Sequence, residues 1–103
     1  MSSLAVRLKI FPEKRKEFLQ TVQVLHDDMK REKGFTRSSV FQEGTDMDVF
    51  NLIEEWDTQG DLEMFTKSEL FRVLIGALKV LSKDTEIRYH FNDAGNDIKS
   101  PEE

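Results

Sequence analysis

The spacing of apolar residues changes character repeatedly along this chain, and that alternation constrains the fold more than any single motif. Leu4, Val6, Leu8 and Ile10 are separated by Ala5, Arg7 and Lys9. This is period two, the pattern of a strand with one buried face. Pro12 suits the first turn of a helix, and Glu13 is favourable near its positive end. From Glu13 to about Arg31 the period lengthens, and Phe18, Val22, Leu25 and Met29 fall on one helical face. Gly34 is placed to end that helix as a C-terminal cap.

Thr36 to Glu43 reads as a second strand, Gly44-Thr45-Asp46 as a turn, and Val49 to Trp56 as a third strand. The short link makes these two a hairpin. Asp57 to Gly60 is a break, in which Thr58 and Asp61 resemble a capping box. Asp61 to Leu81 is predicted helical, in two pieces with a joint near Ser68. Thr85 to Phe91 alternates again, with Ile87, Tyr89 and Phe91 set against Glu86, Arg88 and His90.

The order is therefore β-α-β-β-α-β, an α+β ferredoxin-like plan with an antiparallel sheet and both helices on one face. Residues 1–91 form one domain. The polar segment 92–103, with Gly95 and Pro101, is expected to be a mobile tail. The second sheet face carries Ala5, Arg7 and Lys9 on the first strand and Glu86, Arg88 and His90 on the last. A chain of 103 residues buries only about two-thirds of its unfolded surface. Pairing with a second copy would cover that face, so a homodimer is expected. The late helix supports a further contact: Phe71, Leu74, Leu78 and Leu81 make one stripe, and Val73, Ala77 and Val80 another. A helix apolar on two sides is buried on two sides: one can pack on the sheet, and the other needs the first helix, a partner chain or a ligand.

The formal net charge is −5, and Lys14-Arg15-Lys16 is bracketed by Glu13 and Glu17. Nucleic acid and anionic membranes attract clustered basic charge, so neither is an expected partner. The absence of cysteine excludes disulfides, thiolate metal sites and a cysteine nucleophile. Met1-Ser2-Ser3 lacks the plan of a signal peptide. The apolar run Val73 to Leu78 is far short of the roughly 20 residues of a membrane span. A cytoplasmic location is the expectation.

The chain has no phosphate-binding loop, dinucleotide fingerprint or zinc-helix motif. Its histidines are His26, at the edge of the first helix's apolar stripe, and His90, on the polar face of the last strand. The plain reading makes His26 a surface residue and His90 a hydrogen-bonded residue of the dimer interface. The sharper reading makes His90 a titratable group near a cavity. Glu54 and Trp56 share a strand face. Either Glu54 is bonded across the sheet or dimer, or the indole desolvates it and raises its pKa. Phe41, Phe50, Trp56, Phe65 and Phe71 are core residues, or a subset of them lines a flat apolar pocket for a small apolar or aromatic ligand.

One constellation narrows the choice. Glu54-Glu55-Trp56-Asp57, then Leu62, Ser68, Phe71 and Leu74-Ile75-Gly76-Ala77-Leu78, resembles the antibiotic biosynthesis monooxygenase family. Its members read as a Glu-x-Trp strand end, a helix, then Ser-x-x-Phe opening the next helix. Phe11-Pro12-Glu13-Lys14-Arg15 with Phe18 matches the usual first-helix entry, and Lys33-Gly34-Phe35 stands where the family leads into its second strand. The likeness runs from about Leu4 to Phe91. It implies a ferredoxin-like subunit in a dimeric α/β barrel, with a pocket between sheet and helices. It also implies oxidation of a quinol or aromatic phenol by molecular oxygen, with no metal and no other cofactor. Phe41, Trp56, Phe65, Phe71 and Leu74 would bound the ring, and Glu54, Trp56 and His90 are the candidate catalytic groups.

The sequence departs from the family at Phe65 and Leu70, where many members carry histidine. Related haem-degrading enzymes use a helix tryptophan and a later histidine, which correspond to Phe65 and Ile75. The alternative implied by these departures is a small-molecule-binding dimer without catalysis.

Overall fold

The structure, a computed structural model, describes residues 1–91, so the segment 92–103 lies outside the described residues. Strand β1 is Ser2–Ile10, and Pro12–Lys14 form a 3-10 turn leading into helix α1, Arg15–Met29. The hairpin strands are β2, Phe35–Glu43, and β3, Asp46–Trp56. Helices α2, Gln59–Thr66, and α3, Glu69–Leu81, precede β4, Ser82–His90. The sheet order is β2-β3-β1-β4, with every neighbouring pair antiparallel. This is the ferredoxin-like arrangement.

The period-two residues of β1 fill the core: Leu4, Val6, Leu8 and Ile10 are fully buried. Phe18, Val22, Leu25 and Met29 bring α1 onto the same layer. Leu74, Leu78 and Leu81 do so for α3. Burying side chains of this size stabilises by about 1.5–3 kcal/mol each before entropy is counted. The helical region breaks where expected. The Ser68 hydroxyl accepts from the Phe71 N–H at 3.1 Å and donates to the Phe65 carbonyl at 2.6 Å, closing α2 while opening α3. Thr58 caps α2 by accepting from the Asp61 N–H at 3.0 Å.

One expectation changes. Helix α1 ends at Met29, so Gly34 is not its cap. Gly34 has φ +82° and its carbonyl accepts from the Asp57 N–H at 2.8 Å. A β-carbon there would run into the Asp61 side chain. Glycine thus serves a left-handed turn and a close approach between distant segments. The second apolar stripe of α3 is not covered in one chain: Val73 and Val80 are exposed and Ala77 is half-buried. Among the described residues, no helix is long and apolar enough to cross a membrane.

Candidate active site

Strand β3 carries Leu52, Glu54 and Trp56 on the face beneath the helices, all buried. Leu4 of β1 and Ser38 of β2 flank Glu54 in register. Among the described residues, neither Glu54 oxygen has a hydrogen-bond partner, and neither does the Trp56 Nε1. The expectation that Glu54 is bonded across the sheet therefore fails within the chain. Leu4 offers no donor, and the Ser38 hydroxyl does not reach the carboxyl. Burial without a partner penalises the charged form and pushes the Glu54 pKa up to about 8. Leaving a buried polar group unsatisfied costs roughly 1–3 kcal/mol.

An aromatic wall lies beside this pair. Trp56 stacks on Phe65 with ring centroids 4.6 Å apart, and Phe71 meets Phe65 edge-on at 5.5 Å. Phe35 meets Trp56 edge-on at 5.4 Å, and His26 of α1 contacts Phe35 at 5.9 Å. The rings form a continuous series from α1 to the start of α3. Leu74 is buried in the same core. Phe65 is itself buried, and it covers the Trp56 face that a flat ring would otherwise use.

The other candidates lie elsewhere. Phe41 pairs with Asn51 and is 53% exposed, so it belongs to the outer sheet face, not to the Trp56 wall. His90 pairs with Ser3 at the end of β4 and is exposed on that same outer face. The sheet itself separates both residues from Glu54. The outer face has its own cavity of about 440 Å³, lined by Ala5, Arg7, Glu43, Asn51, Glu86 and Arg88. Among the described residues, no cluster of three or more His, Asp or Glu side chains is disposed to hold a metal ion.

Sequence reasoning missed the cleft between α1 and β2. It measures about 350 Å³ and is lined by Leu19, Val22, Gln23, His26, Ser38 and Val40. His26, read from sequence as a surface group, is half-buried there. The available signal was its place beside the apolar stripe; its proximity to Ser38 depends on how α1 crosses β2.

Residues 1–76 match the profile of the family described as antibiotic biosynthesis monooxygenase. The Bacillus subtilis (strain 168) protein named "Putative monooxygenase YcnE" is 26% identical over 81 residues, covering 79% of this chain and 85% of that protein. A conserved protein from Methanosarcina mazei Go1 superposes with a TM-score of 0.78 at 25% identity, covering 87% of this chain and 90% of its own. A variant of SnoaB, a cofactor-independent oxygenase from Streptomyces nogalater, also has a TM-score of 0.78. Its identity is 19%, covering 98% of this chain and 97% of its own, a likeness of fold.

Proposed function

Since the chain belongs to the antibiotic biosynthesis monooxygenase family, we propose that it is a cofactor-independent monooxygenase acting on a quinol or aromatic phenol held against Trp56. The observation that carries this reading is the unpartnered Glu54 carboxyl next to an unpartnered indole N–H on one buried strand face. An acceptor and a donor left unsatisfied side by side suit a ligand that brings a hydroxyl and an oxygen lone pair. SnoaB, of the same fold, is a cofactor-independent oxygenase. The domain that does this is residues 1–91.

In this reading the substrate ring replaces Phe65 on the Trp56 face, with Phe71 and Leu74 closing the apolar side. Glu54 takes the phenolic proton, and Trp56 Nε1 donates to the oxygen that becomes negative. The electron-rich anion then supplies the electrons to oxygen. For an anthrone methylene, one O₂ is consumed. One oxygen atom stays on carbon as a ketone, and the other leaves as water with both methylene hydrogens, so no external reductant is required. A Glu54 pKa of about 8 gives a kcat/KM that rises with pH through that value.

The protein acts as a cytoplasmic homodimer in this proposal, with the outer sheet face of each copy against the other. The binding-dimer alternative has one observation in its favour: Phe65, at a position where many members carry histidine, fills the ring seat.

The test is oxygen consumption by metal-stripped protein against hydroquinones, naphthols and anthrones, with a boiled control. Uptake above autoxidation with an oxygenated product is expected, falling at least about a hundredfold in Glu54→Gln. Ligand binding without uptake across the panel would favour the binding dimer.

A further inference from the structure

We propose that the cleft between α1 and β2 is a second subsite, taking the uncharged polar end of a substrate with two or more fused rings. His26 and Ser38 would be its hydrogen-bonding groups. The inference rests on the reading that the reacting ring sits at Glu54 and Trp56, and it defines which such rings the protein selects.

The cleft adjoins that seat through two independent connections. Ser38 lines it and is the direct cross-strand neighbour of Glu54. Directly opposed side chains on one sheet face have β-carbons roughly 5 Å apart. His26 lines it as well, and its ring leads through Phe35 to Trp56 by successive edge-on contacts. A ligand whose ring lies at Glu54 and which extends toward β2 therefore emerges between Ser38 and His26. Strand β2 is an edge strand, so among the described residues no further strand blocks that direction.

The lining sets the chemistry. Leu19, Val22 and Val40 give apolar walls that suit a ring. Gln23, His26 and Ser38 provide the polar groups, and among the described residues no lysine or arginine lines the cleft. The Gln23 amide is bonded to Asp27 at 3.4 Å, which puts a carboxylate close to the rim. A carboxylate or phosphate substituent would meet that charge with no lining lysine or arginine to offset it. A hydroxyl or carbonyl would find donors and acceptors at low cost. About 350 Å³ is at the small end of ligand sites, the size for part of a substrate rather than the whole.

Trp56 is the sole tryptophan of the 103-residue chain, so this chain has one indole N–H resonance, beside the seat. Its displacement is titrated with β-naphthol, which has one hydroxyl. The titration is repeated with the naphthalenediol carrying a second hydroxyl at the far end of the same bicyclic ring. The diol is expected to bind roughly tenfold tighter, the gain from one added hydrogen bond. Ser38→Ala and His26→Phe should each erase most of that preference while leaving β-naphthol affinity unchanged. Both are mild substitutions, and the phenyl ring preserves the contact with Phe35.

Equal affinity for the two probes, a preference that survives both substitutions, or no displacement by either probe would overturn the subsite. Oxygen uptake on the same proteins separates this from the reading beneath it. Uptake with the diol that is unaltered by both substitutions leaves the monooxygenase and removes the subsite. Selective binding without uptake leaves the subsite and removes the monooxygenase.

Discussion

Glu43 and Glu54 belong to one sheet, face opposite ways and stand in opposite electrostatic states. Glu43, at the end of β2, receives a forked contact from Arg7, with Nη2 at 2.6 Å and Nε at 3.0 Å, and a third from Asn51 at 3.2 Å. Hydrogen bonding to Arg7, helped by Asn51, holds its pKa down at about 2. Glu54 finds no donor among the described residues, and burial drives it up to about 8. The residue type is the same, so the difference comes entirely from which face of the sheet each occupies. On the outer face Arg7, Glu43 and Asn51 bond one another, and Arg88 bonds Glu86. The inner face holds a buried carboxyl that no group of the described residues bonds, a feature that folding alone gives no reason to keep.

The broadest way to sharpen this contrast is to delete a ring from each face. Trp56 is fully buried, so Trp56→Ala should cost about 3–5 kcal/mol in urea unfolding. Phe41 is half in water, and Phe41→Ala should stay within about 0.5 kcal/mol for an isolated chain. A loss at Phe41 approaching that at Trp56, and growing with protein concentration, would mean that a second copy covers the outer face. A small loss independent of concentration would count against face-to-face pairing.

The next test separates the carboxyls by pH. In the folded protein Glu54 holds its proton up to about pH 8, whereas the unfolded chain releases it near the ordinary 4.5. The folded state therefore binds the extra proton between those values, and stability falls as pH rises through that window. Each pKa unit corresponds to about 1.4 kcal/mol, so the fall should reach a few kcal/mol. Glu54→Gln removes the ionisation. Its thermal midpoint should stay level from pH 5 to pH 8 while that of the unaltered protein drops. Parallel curves would show that Glu54 is solvated or partnered after all, and the contrast between the faces would collapse.

Much of the fold was legible because it depends on local periodicity. Leu4 to Ile10 states its buried face outright, and the joint at Ser68 follows from a hydroxyl that can cap the next helix. What could not be read depends on register. Phe35 and Phe41 are an even number of residues apart, so a regular strand would put both on one face. A bulge between Phe35 and Arg37 shifts the pairing. Phe35 thus sits opposite Trp56 and Phe41 opposite Asn51. That extra residue is why Phe41 leaves the aromatic wall it was expected to join. Gly34 is a similar case, since its constraint is Asp61, remote in sequence. For Glu54 the sequence offered desolvation by Trp56 as one of two readings. Choosing between them required knowing that Leu4 and Ser38, not arginine, are its neighbours.

The smallest effect belongs to Glu43, and its sign is the informative part. Its folded pKa lies below the unfolded value, so its contribution is present above about pH 4.5 and disappears as pH falls toward 2. Glu43→Gln should lose stability relative to the unaltered protein as pH rises through that acidic window, and the difference should then stay constant to pH 8. Glu54→Gln should instead gain relative stability, and only above pH 4.5. Because Glu43 and Arg7 are both exposed, added salt should shrink the Glu43 effect, whereas the buried Glu54 effect should hardly respond. Midpoints of both variants at low and high salt check this directly. A Glu43 effect that resists salt would mean that the Arg7 pair is shielded from solvent, as it would be between two sheets. The same measurement that ranks the two carboxyls thus reports whether the outer face is free or covered.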